Sequence, residues 1–304
     1  MKYFYGANKK KSYFEGWYLK QQNQRDTLAF IPAWHVDRKG RAQASLQVIA
    51  NQDCWSLDYP AEAFAAARDR FFVELGDSVF SKGGIILNAK SAGLEVKGAL
   101  RYGALTPVAG DIMGPFQYVP FLQCRHSVLS MGHRVDGRIS VNGRDYTFEH
   151  GRGYIEGDRG HSFPKGYIWT QASFRHEFYG DGSVMISIAD IPFCGGRFTG
   201  CLAFVWLGGR EYRLSTYQGV RILSANQGLA RLRQGELALE AELLEAPPFP
   251  CGLRAPQGGS MIRTVHESPA CKVRYRFSER GRPLLDLVSG QAGFEYSGSL
   301  DKKG

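Results

Sequence analysis

Long hydrophobic runs are missing from this sequence. No stretch approaches the roughly 18 consecutive apolar residues that a membrane-spanning helix needs. The opening residues, MKYFYGANKKKSYFEGW, lack the apolar centre of a secretory signal. The six cysteines are scattered without a C-x-x-C pair, so neither a disulfide scaffold nor a zinc site is indicated. Together these absences set the expectation of a cytoplasmic protein with reduced thiols. Phosphate-cradling glycine loops, flavin and nicotinamide fingerprints and metal-ligand clusters are also missing, so neither a cofactor nor a metal is expected. There is no G-x-S-x-G elbow, which argues against hydrolysis.

Acidic residues are the scarcer charge, 29 against 38 basic, for a net charge of +9. The basic residues are dispersed, with runs only at Lys9-Lys10-Lys11 and Lys302-Lys303. No nucleic-acid module accompanies them, so nucleic acid is not an expected partner. Solvated ends and strand edges are the main reading of this charge, with weak association with anionic membrane surfaces beside it. Nothing in the sequence points to an oligomeric state.

Aromatics and glycine are plentiful, 13% and 37 residues in a chain of 304. That pairing favours many short strands joined by tight turns. "VDGRISVNGRDYTFE" is the clearest case, with Asn142-Gly143 as a two-residue hairpin turn and Asp136-Gly137 as a second turn before it. Lys39-Gly40, Lys82-Gly83-Gly84, Asp181-Gly182 and Gly208-Gly209 read the same way. Between them run strand-like segments such as "RAQASLQVIA", "LEVKGALRY" and "RFTGCLAFVWL", a pattern that predicts a sandwich or barrel. One helix is expected, "PAEAFAAARDRF" over residues 60–71, on its alanines and a proline suited to the first turn. "FEGWYLKQ" at 14–21 is echoed by "PKGYIWTQ" at 164–171, which marks two similar barrels with a boundary near residue 150.

Three long motifs carry a resemblance. "YFEGWYLK" at 13–20, "IMGPFQYVPFLQCRHSVLSMGHRVDGRISVNG" at 112–143 and "GYIEGDRGHSFPKGYIWTQ" at 153–171 are similar to the tocopherol cyclase family, with weaker similarity at 261–268 and 290–298. The resemblance implies an all-β fold of two tandem lipocalin-like antiparallel β-barrels with few short helices. It places one barrel in residues 1–150 and the other in 151–304, an outline shared with carotenoid hydratases. The activity it implies is closure of a prenyl-hydroquinone to a chromanol. Gly157 and Arg159 depart from the family pattern, which has lysine and tryptophan there.

Such ring closure needs an acid to protonate the alkene, a dry pocket for the cation and a phenol placed to trap it. Hydration needs the same acid, with water as the trap. Asp158 is the first candidate acid and Glu156 the second; two apart on a strand, they share one face. Paired carboxylates push their pKa values apart, although salt bridges to Arg152, Arg159 or Lys165 would neutralise them instead. Glu15 is a third candidate. His126 could orient a phenol or move its proton, and His133 is read the same way, with a structural role as the plainer account of each. His161 completes the polar set. Trp17, Trp34 and Phe116 are expected to line an apolar cavity. So are Tyr118, Phe121, Tyr167 and Trp169, each equally able to be ordinary core. Two functions fit: an acid-catalysed cyclase or hydratase, and a carrier or sensor of a hydrophobic small molecule without turnover.

Overall fold

The computed structural model describes residues 2–193, 195–247, 251–298 and 300; Cys194, Lys302 and Lys303 lie outside them. The chain divides into two compact units. Unit 1 holds residues 1–107, 124–163 and 253–264, and unit 2 holds 108–123, 164–252 and 265–304.

Unit 1 is built on an 11-stranded antiparallel sheet. Its strands are β1 (Tyr13–Gln22), β2 (Thr27–Val36), β3 (Ala42–Ala50), β4 (Asp53–Pro60), β5 (Phe64–Ala66) and β6 (Phe72–Leu75). They continue as β7 (Ser78–Ser81), β8 (Gly84–Ser91), β9 (Leu94–Tyr102), β10 (Cys124–Val141) and β11 (Arg144–Gly160). Neighbours in sequence pair, except β4 and β5, which stand at the two ends of the order, and β1 joins β11 and so unites the two runs of the meander. Alternation decides what faces inward: Trp17 and Leu19 of β1, Leu28 and Phe30 of β2, and Leu46 and Val48 of β3 all enter one apolar core. Each such large side chain contributes about 2 kcal/mol by leaving water.

Unit 2 repeats the plan. Its strands are β12 (Tyr167–His176), β13 (Gly180–Phe193), β14 (Gly196–Leu207), β15 (Arg210–Ser215), β16 (Arg221–Asn226), β17 (Leu229–Gln234) and β18 (Leu237–Glu245). β20 (Ser260–Glu279) pairs with β18, and β21 (Arg282–Ser297) pairs with β20 and with β12 in the middle of the order; β19 (Cys251–Gln257), which pairs with β20, falls mostly in the 253–264 segment of unit 1. Its core gathers Ile168, Phe174, Val184, Val205 and Tyr275. The two echoed segments thus open β1 and β12, which hold the same place in their sheets. Their tryptophans face oppositely, however: Trp17 enters the core of unit 1, whereas in unit 2 it is Ile168, beside Trp169, that faces inward.

The Asn142-Gly143 turn forms as expected, with φ values of 50° and 79°. Asn142 also ties this hairpin to the next one: its N–H donates to the Glu95 carbonyl and its Oδ1 accepts from the Glu95 N–H at 2.7 Å. Asp136-Gly137 is not a turn. Gly137 sits inside β10 at a register shift, with φ of 131° and the Ala99 carbonyl where a Cβ would stand. Gly84 and Gly98 repeat this close approach on β8 and β9, so the glycines serve strand curvature there. Asp181-Gly182 likewise lies within β13, and the turn falls at residues 177–179.

The helix expected over 60–71 is absent. Residues 61–63 make a single 3-10 turn and β5 pairs with β6. Phe64 is the reason: its ring stacks on Trp34 at 5.2 Å and meets Phe4 at 5.5 Å. Burying one phenyl ring outweighs alanine preferences worth a few tenths of a kcal/mol each. Among the described residues no helix is long and apolar enough to cross a membrane. Cys124 and Cys201 are free thiols.

Candidate functional site

On β11, Tyr154, Glu156 and Asp158 alternate with Ile155, Gly157 and Arg159, and Ile155 belongs to the core of unit 1. The two carboxylates therefore share a face, as their spacing requires, and it is the face turned away from that core. Pairing with β10 sets His126 opposite Asp158. The imidazole stands between the carboxylates: Nδ1 is 2.9 Å from Asp158 Oδ1, and Nε2 is 3.3 Å from Glu156 Oε2. The first contact is a hydrogen bond. The second is an ion-pair approach without hydrogen-bond alignment, so Nε2 has no hydrogen-bond partner.

Tyr154 completes the row by donating its O–H to Glu156 Oε2 at 2.6 Å. Cys124 Sγ lies 3.6 Å from Asp158 Oδ1. Tyr154 and Glu156 are buried, and the Asp158 side chain is 25% exposed, so the row runs from a dry end to a wetter one. Burial alone would push the His126 pKa down; Asp158 and then Glu156 outweigh it and hold the imidazole well above its ordinary range. Burial and the adjacent Glu156 keep the Tyr154 hydroxyl protonated. Burial and Asp158 do the same for the Cys124 thiol.

Glu15 belongs elsewhere. It lies on the inward side of β1 with Trp17, and it accepts hydrogen bonds from the Tyr13 hydroxyl and the Tyr5 N–H, each at 2.8 Å. Burial raises its pKa against those bonds and against Arg159. Arg159, one of the departures from the family pattern, stacks over the Tyr5 ring at 4.1 Å on this side of the sheet. Gly157, the other departure, is filled against: a Cβ there would come within 3.0 Å of Trp17 Cδ1 and 3.1 Å of the Gly16 carbonyl.

The remaining expected residues disperse. Trp17 is core and Trp34 is packed on it. Phe116 stacks on Phe198 in unit 2. Tyr118 and Phe121, expected to line a cavity, are 81% and 95% exposed, because residues 114–118 form a 3-10 turn and Phe121 follows with φ of 63°. Tyr167 donates to Glu295, and Trp169 packs over Gly293, both in unit 2. His161 is exposed beside Ser162, whose Oγ accepts from the Gly258 N–H; these are turn contacts, not a nucleophile and its base. His133 is buried and points inward. Ser130 Oγ donates to the Gly132 carbonyl, so His133 Nδ1–H donates to Ser130 and Nε2 is a bare acceptor. Tyr154 was not singled out from sequence, although its place two residues before Glu156 in "YIEGD" was signal enough.

No family model matches the chain, and no sequence relative is found among curated proteins. Solved structures do match. An AttH candidate from Nitrosomonas europaea aligns with TM-score 0.52 at 14% identity, over 94% of this chain and 93% of that one. The fold is lipocalin-like. Kievitone hydratase from Nectria haematococca aligns with TM-score 0.53 at 12% identity, over 97% and 93% of the two chains. CghA, solved with Sch210972, gives TM-score 0.59 at 8% identity, over 94% and 88%. At such identities these likenesses concern the fold alone.

Proposed function

We propose that this lipocalin-like protein binds a hydrophobic prenylated molecule and closes a prenyl-hydroquinone to a chromanol by proton transfer at Tyr154, Glu156, His126 and Asp158. The observation that carries the reading is His126 set between two carboxylates, with its Nε2 unpaired by any hydrogen bond. In this scheme His126, held as an imidazolium by Asp158 and Glu156, gives its Nε2 proton to the alkene carbon, and the tertiary cation is captured by the phenol oxygen. The phenolic proton returns to Nε2. Tyr154 holds the Glu156 carboxylate in place by donating its hydroxyl to it. One proton leaves and one comes back, so the reaction is redox-neutral.

Hydration is the second reading, favoured by a neighbour of this fold that is named a hydratase. It uses the same protonation, with water as the trap.

The test incubates the protein with a prenyl-hydroquinone and follows product by mass spectrometry. Ring closure without change of mass, lost in Glu156→Gln and His126→Gln, supports the cyclase; gain of one water supports the hydratase. Ligand retained but unchanged by wild type establishes a carrier and overturns both.

A further inference from the structure

We propose that one end of unit 1 is a docking surface for anionic lipid bilayers. Three segments meet there: residues 9–12 before β1, 37–41 between β2 and β3, and the turn at 258–259 between β19 and β20 with the neighbouring residues 257 and 260–262 of those strands. Backbone contacts hold them together. The Ser12 N–H donates to the Asp37 carbonyl at 3.0 Å, and the Lys10 carbonyl lies against Gly40. Arg38 lies over Gly258, and Gly259, with φ of 82°, lets the backbones of Tyr13 and Val36 approach more closely than any side chain would allow. The arrangement belongs to the fold and not to mobile side chains alone.

The charge on these segments is one-sided. Lys9, Lys10, Lys11, Arg38, Lys39 and Arg41 are all exposed. Asp37 is the one carboxylate of the three segments, and it is engaged by Arg41 Nε at 2.7 Å and by the N–H groups of Lys39 and Arg41. Lys9 lies over the Tyr13 ring at 5.1 Å, an aromatic partner that leaves its charge intact. A patch this compact adds its cations within one Debye length, about 8 Å at physiological salt. Each cation near an anionic bilayer contributes about a fivefold gain in partitioning.

Ile262 selects the bilayer over nucleic acid. It stands 71% exposed, three residues beyond Gly259. An aliphatic side chain gains nothing against phosphates in water, but it gains from entering the acyl boundary beneath a headgroup layer. The docking does not rest on the reaction proposed above.

The experiment is co-sedimentation of the full chain with phosphatidylcholine vesicles, with and without a third of phosphatidylglycerol, at low and high salt. Wild type is expected to bind the anionic vesicles and to be released by salt. The triple variant Lys10→Ala, Arg38→Ala, Lys39→Ala should lose about 100-fold in partitioning. Ile262→Ser should lose severalfold while keeping the salt dependence. A control, Arg221→Ala, Arg231→Ala, Arg233→Ala in unit 2, removes as much charge and should bind like wild type. The surface is wrong if the control loses as much as the triple variant, if neutral vesicles bind equally, or if duplex DNA is held more tightly than the vesicles. Unchanged circular dichroism and melting of each variant exclude misfolding as the cause.

Discussion

His126 and Asp158 stand directly across from one another on β10 and β11, ring nitrogen and carboxylate 2.9 Å apart, at residues separated by 32 positions in the chain. The strand pairing creates this contact, and it makes the imidazole the charge between Asp158 and Glu156.

The folded pKa of His126 lies above its unfolded value. Its contribution to stability is therefore fully present below about pH 6.5 and is lost as pH rises through the folded value. Denaturant titrations of wild type and His126→Gln across that range should show the difference between them shrinking on the alkaline side. His126→Ala, which leaves two neighbouring carboxylates without their shared cation, should cost about 3 kcal/mol at neutral pH.

His133 has the opposite sign. Burial lowers its pKa from 6.5 to about 3, with no charged partner to offset it. Its neutral form supports folding above about pH 6.5, and that support is lost as pH falls toward 3, at roughly 1.4 kcal/mol per pH unit. His133→Phe keeps a ring beside Tyr102, whose centroid is 4.4 Å away, and should flatten the acid limb of the stability profile by about one proton. His35, lowered to about 4, accounts for part of the slope that remains.

Gly153 faces that ring. A Cβ there collides with the His133 imidazole, so Gly153→Ala should destabilise by about 2 kcal/mol through overpacking. The double variant with His133→Ala removes the obstacle. Its loss should fall short of the sum of the two single losses, measured as a coupling energy in a double-mutant cycle.

Glu15 is held with a pKa above the ordinary carboxylate value, chiefly by burial. Ionisation therefore works against the fold: its favourable contribution is present below about pH 4.5 and is lost as pH rises through the folded pKa. Glu15→Gln retains an oxygen for the Tyr13 hydroxyl and sheds the charge. A small gain in melting temperature at neutral pH is expected, and a loss would show that the nearby Arg159 depends on the anion.

Strand periodicity, glycine spacing and the Asn142-Gly143 turn were enough to read an all-β chain, because these signals are local and act within one hairpin. The shared face of Glu156 and Asp158 was legible for the same reason, since alternation along a strand does not depend on what the strand packs against. Which face that was depended on β1, β10 and β11 lying side by side, with Ile155 and Leu19 taking the core and leaving the carboxylates on the other side. The helix read over 60–71 yielded to aromatic packing of Phe64 on Trp34 and Phe4, partners 30 and 60 residues away that no local preference registers. Residue types and their alternation determined the strands, the candidate acids and the place of Tyr154 beside them; only the pairing register, a long-range choice made by burial of apolar surface, brought His126 to them and kept Glu15 apart.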